Sequence, residues 1–252
     1  MFRARINRRP TEGSTMHKIL LATAIGAAAF AAVPASANIL INGDFETGDY
    51  TGWSVTTQGG SNGAIAIAPN NGGPAPISGQ GTALNANGGR WYSLTDQGGP
   101  GSYSLTQGFT LATASRVTIS FDMFANNYAG VVFPGRDYTV VPAQNAVVDI
   151  LTGAASPFTD AAGDIVSVLY GPGSDAFNVV NPWTSYSYTL NLAAGSYQIR
   201  FAETDNQLFF NQGVDNVSII SGVVPEPATW AMLIIGFGAV GFAARRRTAV
   251  AA

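Results

Sequence analysis

The sequence predicts an all-β protein whose single antiparallel sandwich occupies residues 38–222. Three observations predict it. Helical periodicity is nearly absent from this stretch, apolar residues alternate with polar ones in short runs, and clusters of Gly, Pro and Asn separate those runs. Charged residues make up only 11% of the chain, but aromatic and β-branched residues are plentiful, which fits an extracellular β protein better than a disordered one.

The expected strands are, in order, 64–68, 101–111, 116–125, 146–151, 165–170, 185–192, 195–203, 207–211 and 214–220. In Val117-Thr118-Ile119-Ser120-Phe121-Asp122-Met123 the apolar residues alternate with polar ones, so one face is expected to be buried and the other wet. Ser185-Tyr186-Ser187-Tyr188-Thr189-Leu190 repeats the pattern. Ala193-Ala194-Gly195 is short enough to turn a hairpin into the strand that carries Tyr197. Residues 58–81, around the strand at 64–68, and residues 129–143, with Pro134 and Pro142, read as loops. The stretch is long enough for one sandwich core and shows no internal repeat or charge-rich linker, so one domain is expected.

The chain ends are of a different kind. His17 and Lys18 follow Met16, an apolar run extends from Ile19 to Val33, and Pro34 precedes Ala35-Ser36-Ala37. This is the basic region, apolar region and small-residue cleavage site of a secretory leader, in that order. Residues 1–37 are therefore expected to form a leader with a signal helix, cut after Ala37 so that Asn38 starts the mature protein. The Arg-rich residues 1–15 precede a leader of ordinary length, so Met16 is read as the true start and 16–37 as the signal peptide; an extended basic region is the alternative.

Of the 15 acidic residues, all but Glu12 and Glu226 lie between Asn38 and Gly222, where the only basic residues are Arg90, Arg116, Arg136 and Arg200. The mature domain is acidic and lacks the basic footprint of a nucleic-acid partner. The chain has no Cys, and His17 and Lys18 are its only His and Lys. Thiolate chemistry, His-ligated zinc, Ser-His-Asp hydrolysis and Schiff-base catalysis are excluded from the domain on inventory alone.

In residues 223–252, Pro225-Glu226-Pro227-Ala228-Thr229-Trp230 leads into an apolar run that ends at Ala244, and Arg245-Arg246-Arg247 follow at once. A single transmembrane helix is expected over about 229–244, somewhat short of the roughly 20 residues usual for a span. Trp230 suits the membrane interface and Arg245, Arg246 and Arg247 the cytoplasmic side, which leaves the domain outside the inner membrane. This segment resembles the PEP-CTERM sorting tail, in its Trp-Ala-containing proteobacterial form. The resemblance implies export by the secretion machinery, a transient hold in the inner membrane and recognition by an exosortase. It also implies cleavage near Pro225, Glu226 and Pro227, then a place at the cell surface or in a biofilm matrix, with exopolysaccharide as partner.

The mature start, Asn38-Ile39-Leu40-Ile41-Asn42-Gly43-Asp44-Phe45-Glu46-Thr47-Gly48, is followed by Gly52-Trp53-Ser54-Val55, then by Pro182-Trp183-Thr184-Ser185-Tyr186 and Gly213-Val214-Asp215-Asn216-Val217. In that order these pieces are similar to the galactose-binding-like jelly rolls that include many carbohydrate-binding modules. The resemblance implies a jelly-roll sandwich whose first and last strands lie close together. It also implies a structural calcium held by Asp44, Glu46, Asp215 and a backbone oxygen such as that of Gly48, since calcium takes oxygen ligands and needs neither His nor Cys. The same acids also suit turns or a solvated strand.

Glycan recognition calls for an exposed aromatic face beside amides or carboxylates. Trp91 and Tyr92, next to Arg90, are the first candidates, then Tyr128 and Tyr138, with the amides of Asn126 and Asn127; Trp53 and Trp183 are expected to pack inside. A glycosidase would need paired carboxylates. Asp122, Asp149, Glu203 and Asp205 are available, but acids on polar strand faces are expected to meet solvent. Three functions follow in order: a non-catalytic glycan-binding surface protein, a purely structural matrix protein, and an acid-pair glycosidase.

Overall fold

A computed structural model of the chain describes residues 37–171, 175–223 and 234–238. Leader residues 1–36, Ala35 among them, the sorting residues 225–230 and the Arg cluster 245–247 lie outside the described residues. Residues 234–238 form a helical turn with Ile234, Ile235 and Phe237 exposed. Among the described residues no helix is long and apolar enough to cross a membrane.

Ten strands form two five-stranded sheets: β1 (Ser54–Thr57), β2 (Gly63–Pro69), β3 (Trp91–Gln97), β4 (Gly101–Leu111), β5 (Ser115–Asn127), β6 (Gln144–Thr152), β7 (Ile165–Tyr170), β8 (Thr184–Leu192), β9 (Gly195–Asp205) and β10 (Phe210–Val223). One sheet has the order β1-β4-β9-β6-β7 and the other β2-β3-β10-β5-β8, and every pairing is antiparallel. With the edge strands β1 and β2 set aside, the orders 4-9-6-7 and 3-10-5-8 are those of a jelly roll. The all-β jelly-roll expectation is met.

The core follows the period of two. Val117, Ile119, Phe121, Met123 and Ala125 of β5 face Leu105, Val148, Ile150, Ile199 and Phe201 of the other sheet. Phe121 stacks on Tyr186 at 5.2 Å and meets Phe201 edge-on at 5.3 Å. Trp53 lies in the same core beside Phe45 and Phe201, as expected. A second, smaller cluster of Ala68, Ala75, Tyr92, Leu94 and Phe124 lies on the outer face of the β3–β10–β5 sheet, and Trp183 packs against it.

Four expectations are corrected. β1 and β3 were not foreseen. Residues 207–211 and 214–220 are not two strands: β10 runs unbroken from Phe210, and residues 207–209 belong to the turn before it. Gly213, which reads as a break, lies under Phe124, where a Cβ would come within 2.1 Å of the ring. Ala193-Ala194-Gly195 is not a hairpin, because β8 and β9 belong to different sheets and the connection crosses the sandwich. The acids expected in solvent, Asp122, Asp149, Glu203 and Asp205, are at most 6% exposed.

The first and last segments of the domain are adjacent, as the resemblance implies. The amide of Ile39 donates to Ile219 O (2.9 Å), that of Val217 donates to Gly43 O (2.8 Å), and Asn38 Oδ1 accepts from Ile219 N (2.9 Å).

Candidate functional site

One rim of the sandwich combines an aromatic ring with carboxylates and amides. It is built where β3 begins, where β10 bulges between Asp215 and Ser218, and where residues 38–46 pass beside them. Asp215 and Asp122 stand opposite each other in the β10–β5 register. Asp215 Oδ1 accepts from Asn216 N (2.7 Å) and Oδ2 from Asn85 Nδ2 (3.1 Å). Asp122 accepts from Ser185 Oγ and from Asn216 Nδ2 (2.8 Å). Glu46 Oε1 accepts from Trp91 N (2.9 Å), and so ties the N-terminal loop to the start of β3.

The turn between these acids depends on Gly88 and Gly89. A Cβ on Gly88 would lie 2.4 Å from Asp215 Oδ2, and one on Gly89 would lie 2.4 Å from Glu46 Oε1. Asn70 braces the turn from behind, donating to Asn85 O (2.9 Å) and Gly89 O (3.1 Å). The Arg90 guanidinium lies 4.7 Å from the centroid of the half-buried Trp91 ring.

Burial raises the Asp215 carboxyl to about 7, against the opposing hydrogen bonds from Asn216 and Asn85; the negative charges of Asp122 and Glu46 add to the rise. The folded protein therefore keeps a proton on Asp215 that the unfolded chain has released, and stability contributed by this group falls as pH rises from about 4 to about 7. We expect Asp215→Asn to flatten that decline. Melting curves recorded from pH 4 to pH 8 should show the variant gaining on the wild type by a few degrees at the alkaline end, each 1 kcal/mol being about 2–4 °C in a domain of this size. Parallel curves would show that Asp215 ionises freely.

Of the residues expected to hold calcium, Glu46 and Asp215 flank the same Gly88-Gly89 turn. Asp215 is buried against Asn85, whereas Asp44 is exposed and lines a shallow groove with Asn38, Asn42, Asn216 and Ser218. Gly48, in the left-handed region at φ 75°, abuts the Trp91 ring. Among the described residues no three acidic side chains come together closely enough to hold a metal ion.

The aromatic candidates are divided. Trp91 belongs to this rim. Tyr92, the next residue on β3, points the other way and is 2% exposed, edge-on to Trp183 at 5.1 Å, so it offers no face to a sugar. Tyr128 and Tyr138 lie on the β5–β6 connection, remote from the start of β3; the Tyr138 hydroxyl donates to Gly59 O (2.9 Å). The amides of Asn126 and Asn127 are also committed, to Gly81, Asn181 and Val131.

The acid-pair candidates are placed as follows. Asp149 forms a fully buried ion pair with Arg200, and Asp122 belongs to the rim. Glu203 and Asp205 lie in β9 at the far end of the sandwich, where burial first, then the negative charge of Asp205 and of Asp96, raises the Glu203 carboxyl well above the usual range. Residues that the sequence did not single out, Asn70, Asn85 and Asn216, hold the rim together; the Asn-Gly-rich composition of 69–90 was the available signal.

Comparison with known proteins gives a family only for the tail. No curated protein matches the chain. Solved structures similar to it include TmCBM61 in complex with β-1,4-galactotriose, with 15% identity over 74% of this chain and 99% of that one, at a TM-score of 0.46. The enzymatically active domain of tailspike protein 4 from bacteriophage CBA120 shares 14% identity over 73% of this chain, with a TM-score of 0.44. This chain spans only 21% of that one. The K3 cleaved adhesin domain of Lys-gingipain from Porphyromonas gingivalis shares 16% over 73% of this chain and 98% of that one, with a TM-score of 0.42. These likenesses are of fold alone. Residues 223–247 match the PEP-CTERM protein-sorting motif, so this chain carries that motif directly behind the last strand of its jelly roll.

Proposed function

We propose that the protein is an exported surface or matrix component whose jelly-roll domain binds glycan without catalysis and whose tail is processed by an exosortase in the inner membrane. The match at residues 223–247 supports the sorting half of this reading. The glycan half is carried by the Trp91 rim, where a half-buried indole lies beside the guanidinium of Arg90 and the carboxylate of Glu46 is bonded to Trp91 N. An aromatic plane framed by short polar groups suits a sugar, which offers an apolar ring face and a fringe of hydroxyls. The absence of His, Lys and Cys from residues 38–222 favours binding over catalysis, and Asp149 and Asp122 are already engaged by Arg200 and Asn216. Exopolysaccharide is the partner class that sorting to the surface would bring within reach.

A glycan array probed with the purified protein tests the reading. Binding is expected, and Trp91→Ala should weaken it about tenfold, the loss of one stacked ring, with melting unchanged. A folded wild-type protein that binds no glycan would sink the proposal and leave the purely structural matrix role. Release of reducing sugar would instead restore the glycosidase.

A further inference from the structure

At the end of the sandwich remote from Trp91, the space between the sheets turns polar. Ile199 and Phe201 of β9 face the core, and the period of two carries Glu203 and Asp205 into the same inter-sheet space. Tyr103 of β4 is the register partner of Glu203, and Gly101 that of Asp205. The Tyr103 hydroxyl reaches across to the other sheet, where it lies 2.5 Å from the place a Cβ of Gly63 would occupy; Gly63 is paired with Gln97 of β3. Two carboxylates, a phenol and an amide are thereby gathered from both sheets.

All four side chains are at most 2% exposed. Asp205 Oδ1 and the Tyr103 hydroxyl have no hydrogen-bond partner, and the Glu203 carboxyl and the Gln97 amide have no partner beyond each other. So many unpaired polar atoms in one place are expensive, because each buried group forfeits its hydration without compensation. The chain supplies no counter-charge there. Arg200 is bound to Asp149, Arg136 to Asn145 and Asp160, Arg90 lies over Trp91, and Arg116 is exposed on β5. Without Lys or His in the domain, no other basic side chain could reach the acids. A cation from solution would supply that counter-charge, and the groups facing it offer hard oxygens. A cleft of about 200 Å³ lined by Gly98, Pro100, Asn206, Leu208 and Phe209 opens beside them, with Asp205 in its wall.

We propose that this inter-sheet pocket is a divalent-cation site of the calcium class, with Glu203 and Asp205 as charged ligands, Gln97 Oε1 and Tyr103 Oη as neutral ones, and the Gly98–Phe209 cleft as the entrance. The ion would lock β3, β4 and β9 together across the sandwich. It lies in a different part of the fold from the acids that the family resemblance nominated.

Calcium titration of the full chain, purified in detergent and freed of metal, tests this by calorimetry and by melting. One calcium per chain is expected, with a rise in Tm that magnesium does not reproduce. Glu203→Gln combined with Asp205→Asn should abolish both effects, whereas Asp215→Asn should leave them intact. If the double variant fails to fold, Tyr103→Phe removes one neutral ligand and should weaken calcium affinity about tenfold in a folded protein. A wild-type protein that binds no calcium would overturn the proposal, as would undiminished binding in the folded double variant or in Tyr103→Phe.

Discussion

Arg200→Ala is expected to destabilise the domain by about 3–5 kcal/mol, the usual cost of removing one partner of a buried ion pair. Arg200 and Asp149 are register partners on β9 and β6, and neither side chain is exposed to solvent. The guanidinium donates Nε to Asp149 Oδ1 (2.9 Å) and Nη2 to Oδ2 (2.6 Å), a bidentate fork. Its Nη1 donates to the carbonyls of Pro157 (3.0 Å) and Thr159 (2.8 Å), so the same side chain pins the β6–β7 connection onto the outer face of the sheet. Truncation would strand a buried carboxylate and leave those two carbonyls unpaired. In thermal unfolding this should appear as a fall in Tm on the order of 10 °C. Arg200→Lys should recover only part of the loss, since an ammonium cannot serve both the carboxylate and the carbonyls. Arg200→Met combined with Asp149→Leu should cost much less than Arg200→Ala, because no charge is left behind. If all three variants melted alike, the pair would be a bystander to stability.

Gly43→Ala is expected to cost about 3 kcal/mol, the upper end of what overpacking does. A Cβ at position 43 would lie 1.9 Å from Val217 O, a backbone atom inside the sheet that cannot turn aside. The segment 38–46 would have to lift away from β10, breaking the Val217 N to Gly43 O bond. Phe45, fully buried with its backbone in the left-handed region at φ 54°, would lose the support that holds it there. Hydrogen exchange should then accelerate at Val217 and Ile39 before the rest of the sandwich opens. Unchanged protection at both amides would show that the segment tolerates the methyl group.

Why some of this architecture could be read and some could not is clear from individual strands. β4 and β7 were legible to the residue because their ends are marked by Gly and by charged or turn residues, and β5 because its inward residues are apolar and several outward ones polar. β3 was not, because its pattern is inverted. Tyr92 and Leu94 point outward into the second cluster, while Ser93, Thr95 and Gln97 point into the sandwich. Alternation of that kind looks like an exposed binding stretch. The burial of Asp122 and Asp149 has a similar cause. The segments 69–90 and 153–164 fold over the outer faces, and only long-range contacts such as Asn85 to Asp215 or Arg200 to Thr159 reveal it. The rim was half legible: Glu46, Trp91 and Asp215 were named, but the asparagines that join them act across more than a hundred residues of chain in some cases, as Asn216 does in donating to Asn87 O.

The place of β10 has a mechanical consequence. It is the central strand of its sheet, hydrogen-bonded along one side to β5 and over its first part to β3 on the other, and the sorting motif starts at its last residue. Tension on an anchored tail would run along the strand axis and load the ladder in shear, with many bonds sharing the force at once. An edge strand would instead unzip one bond at a time. The N-terminal segment, bonded to the same strand through Ile39 and Gly43, adds a further clamp near the point of loading.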